Sequence, residues 1–218
     1  MDSSLLFYSN YSSREDILNQ LISTHENLKI IILDSVKENL PSDNLIQWND
    51  SNISEEEFQF YQKYSNNQIQ TVAFHLPPGG KLSIYEHRPL QNVHLLVLSK
   101  NTPMHALLHE IGHFIIHNNP IHPAKSTSSK VLQNTIRLYE EAYIDMNLIE
   151  SSDKFGFTQE EVCSRHKYMK RNLATLRSIL KDFKPQNDEQ KQMLSQLYTL
   201  SNPIKMMDIK YHTACFLF

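Results

Sequence analysis

Residues 92–118 read NVHLLVLSKNTPMHALLHEIGHFIIHN, and the fold is read outward from them. Asn92 to Ser99 is a short apolar run of strand length, which predicts a buried β-strand. Thr102 suits a helix N-cap and Pro103 the first helical position. Met104, Leu107, Leu108, Ile111, Phe114 and Ile115 then recur at spacings of three and four, an apolar stripe that predicts a helix. Asn118, Asn119 and Pro120 end it. Within this helix lies His109-Glu110-Ile111-Gly112-His113, an HExxH sequence. Two histidines four apart share one helical face, here off the apolar stripe. Imidazoles so placed can hold one Zn²⁺, and Glu110 beside them can act on a water at the metal. That is the equipment for metal-assisted hydrolysis of an amide.

Catalytic zinc usually takes three protein ligands, so a third is expected elsewhere. The metzincin pattern needs a histidine at position 119 and a glycine at 115; the chain has Asn119 and Ile115. His105 and His117 extend the four-residue repeat of histidines. Each such step turns about 40° around the helix and climbs about 6 Å, so one metal is out of their common reach. The remaining source is the following helical stretch, where residues 138–145 read LYEEAYID. Leu132, Ile136, Tyr139, Ala142, Tyr143 and Met146 form its expected core face. Glu141 and Asp145 share another face. Glu141 is the expected third ligand, with Asp145 as a hydrogen-bond acceptor for a ligand histidine. Glu140, about 100° away on the same helix, is the alternative ligand. The plain alternative is that both glutamates are solvated helix charges.

HExxH followed by ExxxD on a second helix resembles the gluzincin arrangement. More narrowly, LLHEIGHFIIH, a short loop and a helix carrying Glu-Glu-Ala resemble the ImmA/IrrE family of small metallopeptidases. In that family a Glu-Ala pair completes the zinc site, which here maps to Glu141-Ala142. The resemblance covers roughly residues 70–150. It departs after Ala142, where Tyr143-Ile144-Asp145-Met146 stand in place of the usual Asn and Phe-Ala. It also departs before His109, where Met104 to Leu108 lack the usual Phe-x-x-Ala-His approach. The resemblance implies a peptidase acting on a regulatory protein or beside a DNA-binding partner.

Elsewhere, Ser13 with Asp16 predicts a capped helix carrying Ile17, Leu18, Leu21 and Ile22. Lys29 to Leu33 predicts a strand, and Ser54 with Glu57 another capped helix. Gln70 to Leu76 and Lys81 to Glu86, either side of Pro77-Pro78-Gly79-Gly80, predict a β-hairpin. Lys130 to Glu150 reads as a long helix. Thr158 with Glu161 opens a second reaching toward Phe183, and Pro185 to Ser201 a third. Strands followed by helices predict an α+β, zincin-like fold. Its small sheet packs on the HExxH helix and a second ligand-bearing helix. The expected division is a metallopeptidase domain over residues 1–150 and a helical extension over 151–218.

The chain has 218 residues and a formal net charge of −3. No Lys/Arg-rich run appears, so direct nucleic-acid binding is not expected. No apolar run approaches a membrane span and no signal peptide is visible. Cys163 and Cys215 are too few for a disulfide framework, so the expectation is a cytoplasmic protein with Cys163 as a half-buried thiol. His25, His75, His87, His94, His122 and His166 read as scattered, non-ligand histidines. Tyr139, Tyr143, Tyr211 and His212 are open candidates for stabilising an oxyanion, although aromatics at helical spacing are more often core. Two functions follow. In the first, His109, His113 and Glu141 hold Zn²⁺ and Glu110 is the catalytic base of a peptidase with a protein or peptide substrate. In the second, the same domain is a regulatory or binding module with little or no cleavage.

Overall fold

The computed structural model describes residues 5–11, 13–33, 45–47, 73–76, 94–99, 102–119, 121, 129–212 and 214–215. The expected helix opened by Ser54, the Pro77–Gly80 turn, the Lys81–Glu86 strand, His87 and His122 lie outside these residues. The chain forms two compact units, Tyr8–Phe114 and Ile115–Phe218 together with Met1–Phe7.

In the first unit, α1 (Arg14–Thr24) starts at Ser13, whose hydroxyl oxygen accepts from the Asp16 N–H at 3.1 Å. It buries Ile17, Leu18 and Leu21 at helical spacing. Four short strands follow: β1 (Leu28–Leu33), β2 (Leu45–Gln47), β3 (Ala73–Leu76) and β4 (His94–Ser99). Their lateral order is β2-β1-β4-β3. The central pair β1 and β4 is parallel, with Leu28 opposite His94 and Leu33 opposite Ser99. Both outer pairings are antiparallel. Leu28, Ile30, Leu96 and Leu98 are buried. A central parallel pair is expected to carry such apolar runs, because it is covered rather than solvated. The helix α2 (Met104–Asn118), whose residues up to Phe114 belong to this unit, begins with the Pro103 carbonyl accepting from Ala106 and Leu107. Its buried stripe is Leu107, Leu108, Ile111 and Phe114.

The second unit is helical: α3 (Lys130–Glu150), a short α4 (Ser152–Phe155), α5 (Gln159–Asp182) and α6 (Asp188–His212). Gly156 follows α4 with φ of 66°, the left-handed geometry that ends a helix and that glycine adopts without strain. The Thr158 hydroxyl accepts from the Glu161 N–H while the Glu161 carboxylate accepts from the Thr158 N–H, so both ends of a capping box are in place. Leu132, Ile136, Tyr139, Ala142, Met146 and Ile149 of α3 pack with Met169, Leu173, Leu176 and Leu180 of α5 and with Leu194, Leu197 and Ile204 of α6. Each fully buried side chain of this size contributes roughly 1.5–3 kcal/mol.

The expected α+β organisation is overturned: the described residues are mostly helical. The strands described are three to six residues long, whereas α3, α5 and α6 run 21, 24 and 25 residues. The reason lies beyond residue 129. There the apolar residues keep a helical period almost without interruption, and three helices bury that stripe against one another. The third helix also extends past its expected end at Ser201. Pro203 lies inside α6, which runs on to His212. An internal proline costs about 3 kcal/mol. Burial of Ile204 next to it and Met207 one turn on, along the stripe already formed by Leu197 and Ser201, offsets that cost. Among the described residues, no helix is long and apolar enough to cross a membrane.

Candidate metal centre

His109 and His113 stand one turn apart on α2, as a period of 3.6 residues requires. His109 is buried and His113 half-buried. Their Nε2 atoms are 3.2 Å apart, and the two rings meet edge to face. Two nitrogens bound tetrahedrally at the usual zinc distances would be about 3.3 Å apart, so the pair has the bite of two zinc ligands. Ile111 and Gly112 inside the motif are buried, as are Leu108 and Phe114 on either side of it. The apolar stripe therefore holds the helix in one rotational setting. Glu110 is half-buried on the same turn.

Glu141 lies midway along α3, half-buried, with Arg137 one turn before it; Arg137 Nε is 3.8 Å from Glu141 Oε1. His109, His113 and Glu141 each offer one ligand atom, and the three atoms lie within 4.8 Å of one another. Two imidazoles and one carboxylate are a donor set that suits a catalytic zinc with an open fourth position. Neither His105, His117 nor Glu140 belongs to this group, and all three are half-buried.

Asp145 has a role that its spacing did not reveal. It is fully buried, and its Oδ1 accepts from Arg165 Nη1 of α5 at 3.3 Å. Arg165 is itself nearly enclosed and lies over the Tyr168 ring. Charge-assisted bonds of this kind hold α3 to α5 one turn beyond Glu141. Nothing in sequence spacing marks Arg165, because its partner is twenty residues away on another helix.

Of the four oxyanion candidates, Tyr139 is part of the core. Burial first, and then neighbouring Tyr143, push its phenol pKa well up, so it stays protonated. Tyr211 packs against the same core, and His212 Nδ1 lies 3.1 Å from Lys170 Nζ.

Three histidines read as scattered converge instead on Phe114, the residue after His113. The rings of His25 and His94 each stand edge-on to Phe114 at 4.8 Å, and His75 at 6.0 Å. His75 Nε2 and His94 Nδ1 are 2.9 Å apart and share a hydrogen bond. Burial holds the His25 pKa below its ordinary value of 6.5. The unfolded chain therefore takes up that proton first as the pH falls, and stability rises with pH through this window. His25 contributes stability above pH 6.5 that is lost progressively below it. Urea midpoints measured at about pH 7.5 and about pH 5.5 are expected to fall less on acidification in His25→Phe than in the parent. An identical fall in both would remove His25 from the acid response.

Cys163 is not a half-buried thiol: it is bonded to Cys215. No protein-family profile, curated protein or solved structure matches the chain.

Proposed function

We propose that this chain is a zinc-dependent peptidase, with His109, His113 and Glu141 as metal ligands and Glu110 as the proton carrier. The observation that carries the reading is the 3.2 Å separation of the two Nε2 atoms, in a group that Glu141 completes. Bound zinc would supply Lewis acidity, lowering the pKa of a water and polarising the scissile carbonyl. Glu110 takes the proton of the attacking water and delivers it to the leaving amine nitrogen. The buried stripe beneath His109 and His113 keeps their rings in place, which limits the reorganisation that metal uptake demands. The likeness of LLHEIGHFIIH and Glu141-Ala142 to ImmA/IrrE-type metallopeptidases supports the same assignment. It points to a protein substrate, possessed of a regulatory role, in the cytoplasm.

The metal assignment is tested by elemental analysis after dialysis against zinc. The parent chain is expected to retain one zinc per molecule. His113→Ala and Glu141→Gln are expected to weaken zinc binding by more than about 100-fold, since even outer-shell substitutions cost 10–100-fold. Parent protein without stoichiometric zinc would defeat the reading. Full retention by Glu141→Gln would remove that residue as a ligand. Retained zinc without cleavage of any bond would favour a binding module.

A further inference from the structure

The C-terminal end of α6 is tied to α5 by three links of different strength. His166 Nε2 lies 3.1 Å from Asp208 Oδ1, with His166 buried. Lys170 Nζ lies 3.1 Å from His212 Nδ1 on the exposed surface, where such contacts contribute little. The third link is covalent. Cys163, buried on α5, is bonded to Cys215, 52 residues later and just beyond α6. Cys215 keeps the helical path, its N–H donating to the Tyr211 carbonyl at 3.0 Å.

We infer that Cys163–Cys215 is a reversible redox latch, a covalent modification site that holds or releases the last turn of α6. Three observations carry this. The two cysteines differ in exposure, Cys163 being buried and Cys215 half-buried, so the Cys215 side is the more open to a small thiol. Gln159 Nε2 lies 3.4 Å from Cys163 Sγ, a donor placed to stabilise the thiolate that leaves. Finally, the apolar residues that join α5 and α6 extend well away from the bond, from Met169 to Leu180 and from Met193 to Met207. Opening the bond therefore frees the end of α6 while the core persists, which is local release rather than global unfolding.

The step balances with a dithiol as reductant. Its thiolate attacks the Cys215 sulfur, the Cys163–Cys215 bond breaks, and Cys163 departs as a thiolate that takes up a proton. The second thiolate of the reductant then displaces Cys215 from the mixed disulfide. Two electrons pass to the protein, which ends with two thiols, and the reductant ends as a disulfide.

The test is amide hydrogen exchange, read by mass spectrometry, on the full chain before and after treatment with dithiothreitol. Intact mass should show the untreated chain two hydrogens lighter than the reduced one. Amides of residues 208–215 should exchange on the order of tenfold faster after reduction, since cross-linking removes loop freedom from the opened state. Amides of α3 and of residues 193–204 should be unchanged, and reoxidation should restore slow exchange. Cys215→Ser should show the fast pattern without reductant and no response to it. Two alkylatable thiols after oxidation and removal of the oxidant would overturn the latch. So would equal exchange in both redox states, or loss of protection throughout α5 and α6.

Discussion

Glu110→Gln is expected to bind zinc as the parent does and to cleave peptides about 10²–10⁴-fold more slowly, the usual contribution of a positioned acid–base group. Glutamine keeps the size and polarity of the side chain, and Glu110 is not one of the three grouped ligand atoms, so the metal group is left whole. What it lacks is a carboxylate able to accept a proton from water. The measurement uses a library of unstructured peptides incubated with zinc-loaded parent and variant, with new termini counted by mass spectrometry. A chelator should abolish the parent's cuts. Equal cutting by parent and Glu110→Gln would end the case for Glu110 as the proton carrier. Loss of zinc in the variant would mean that Glu110 belongs to the metal's own coordination.

Asp145→Ala is expected to cost about 3–5 kcal/mol of stability, because it strands the Arg165 guanidinium in the space it shares with a fully buried carboxylate. The double change Asp145→Leu with Arg165→Met should recover most of that loss, since an apolar pair avoids burying either charge. Urea unfolding of the parent, the single variant and the double variant decides between these outcomes. A loss under about 1 kcal/mol in Asp145→Ala would place the pair with ordinary surface ion pairs. The measurement also bears on the metal group. Asp145 lies one turn from Glu141 on α3, so on the proposed metal assignment loosening the Arg165 tie is expected to weaken zinc binding, although neither residue of the pair belongs to the group of His109, His113 and Glu141.

Much of the candidate site could be read without coordinates, and the reason is its locality. His109 and His113 are four apart in one helix, so their approach follows from backbone geometry alone. Glu141 rests on a weaker signal, the position of a carboxylate on a face away from the apolar stripe. Asp145 shares that face, and its position there predicts a histidine partner. Its Oδ1 accepts from Arg165 on α5, a partner that no local pattern names. The small share of strand is hidden for a related reason. Apolar runs such as Leu28–Leu33 and His94–Ser99 are recognisable strands, but they say nothing about how small a share of the fold they supply.

What the sequence by itself determined is periodic and short-range: the HExxH helix, the Ser13 and Thr158 caps, and the long amphipathic helices from Lys130 onward. Each rests on interactions three or four residues apart. Only the tertiary structure decided the links that close long loops or join separate elements. These are Asp145 with Arg165, Cys163 with Cys215, and the histidines gathered at Phe114. It also decided that α6 continues through Pro203, where burial of Ile204 and Met207 outweighs the lost backbone bond. The physical difference is that backbone period is set residue by residue, whereas partners 20 or 52 residues apart are chosen by which helix faces pack together.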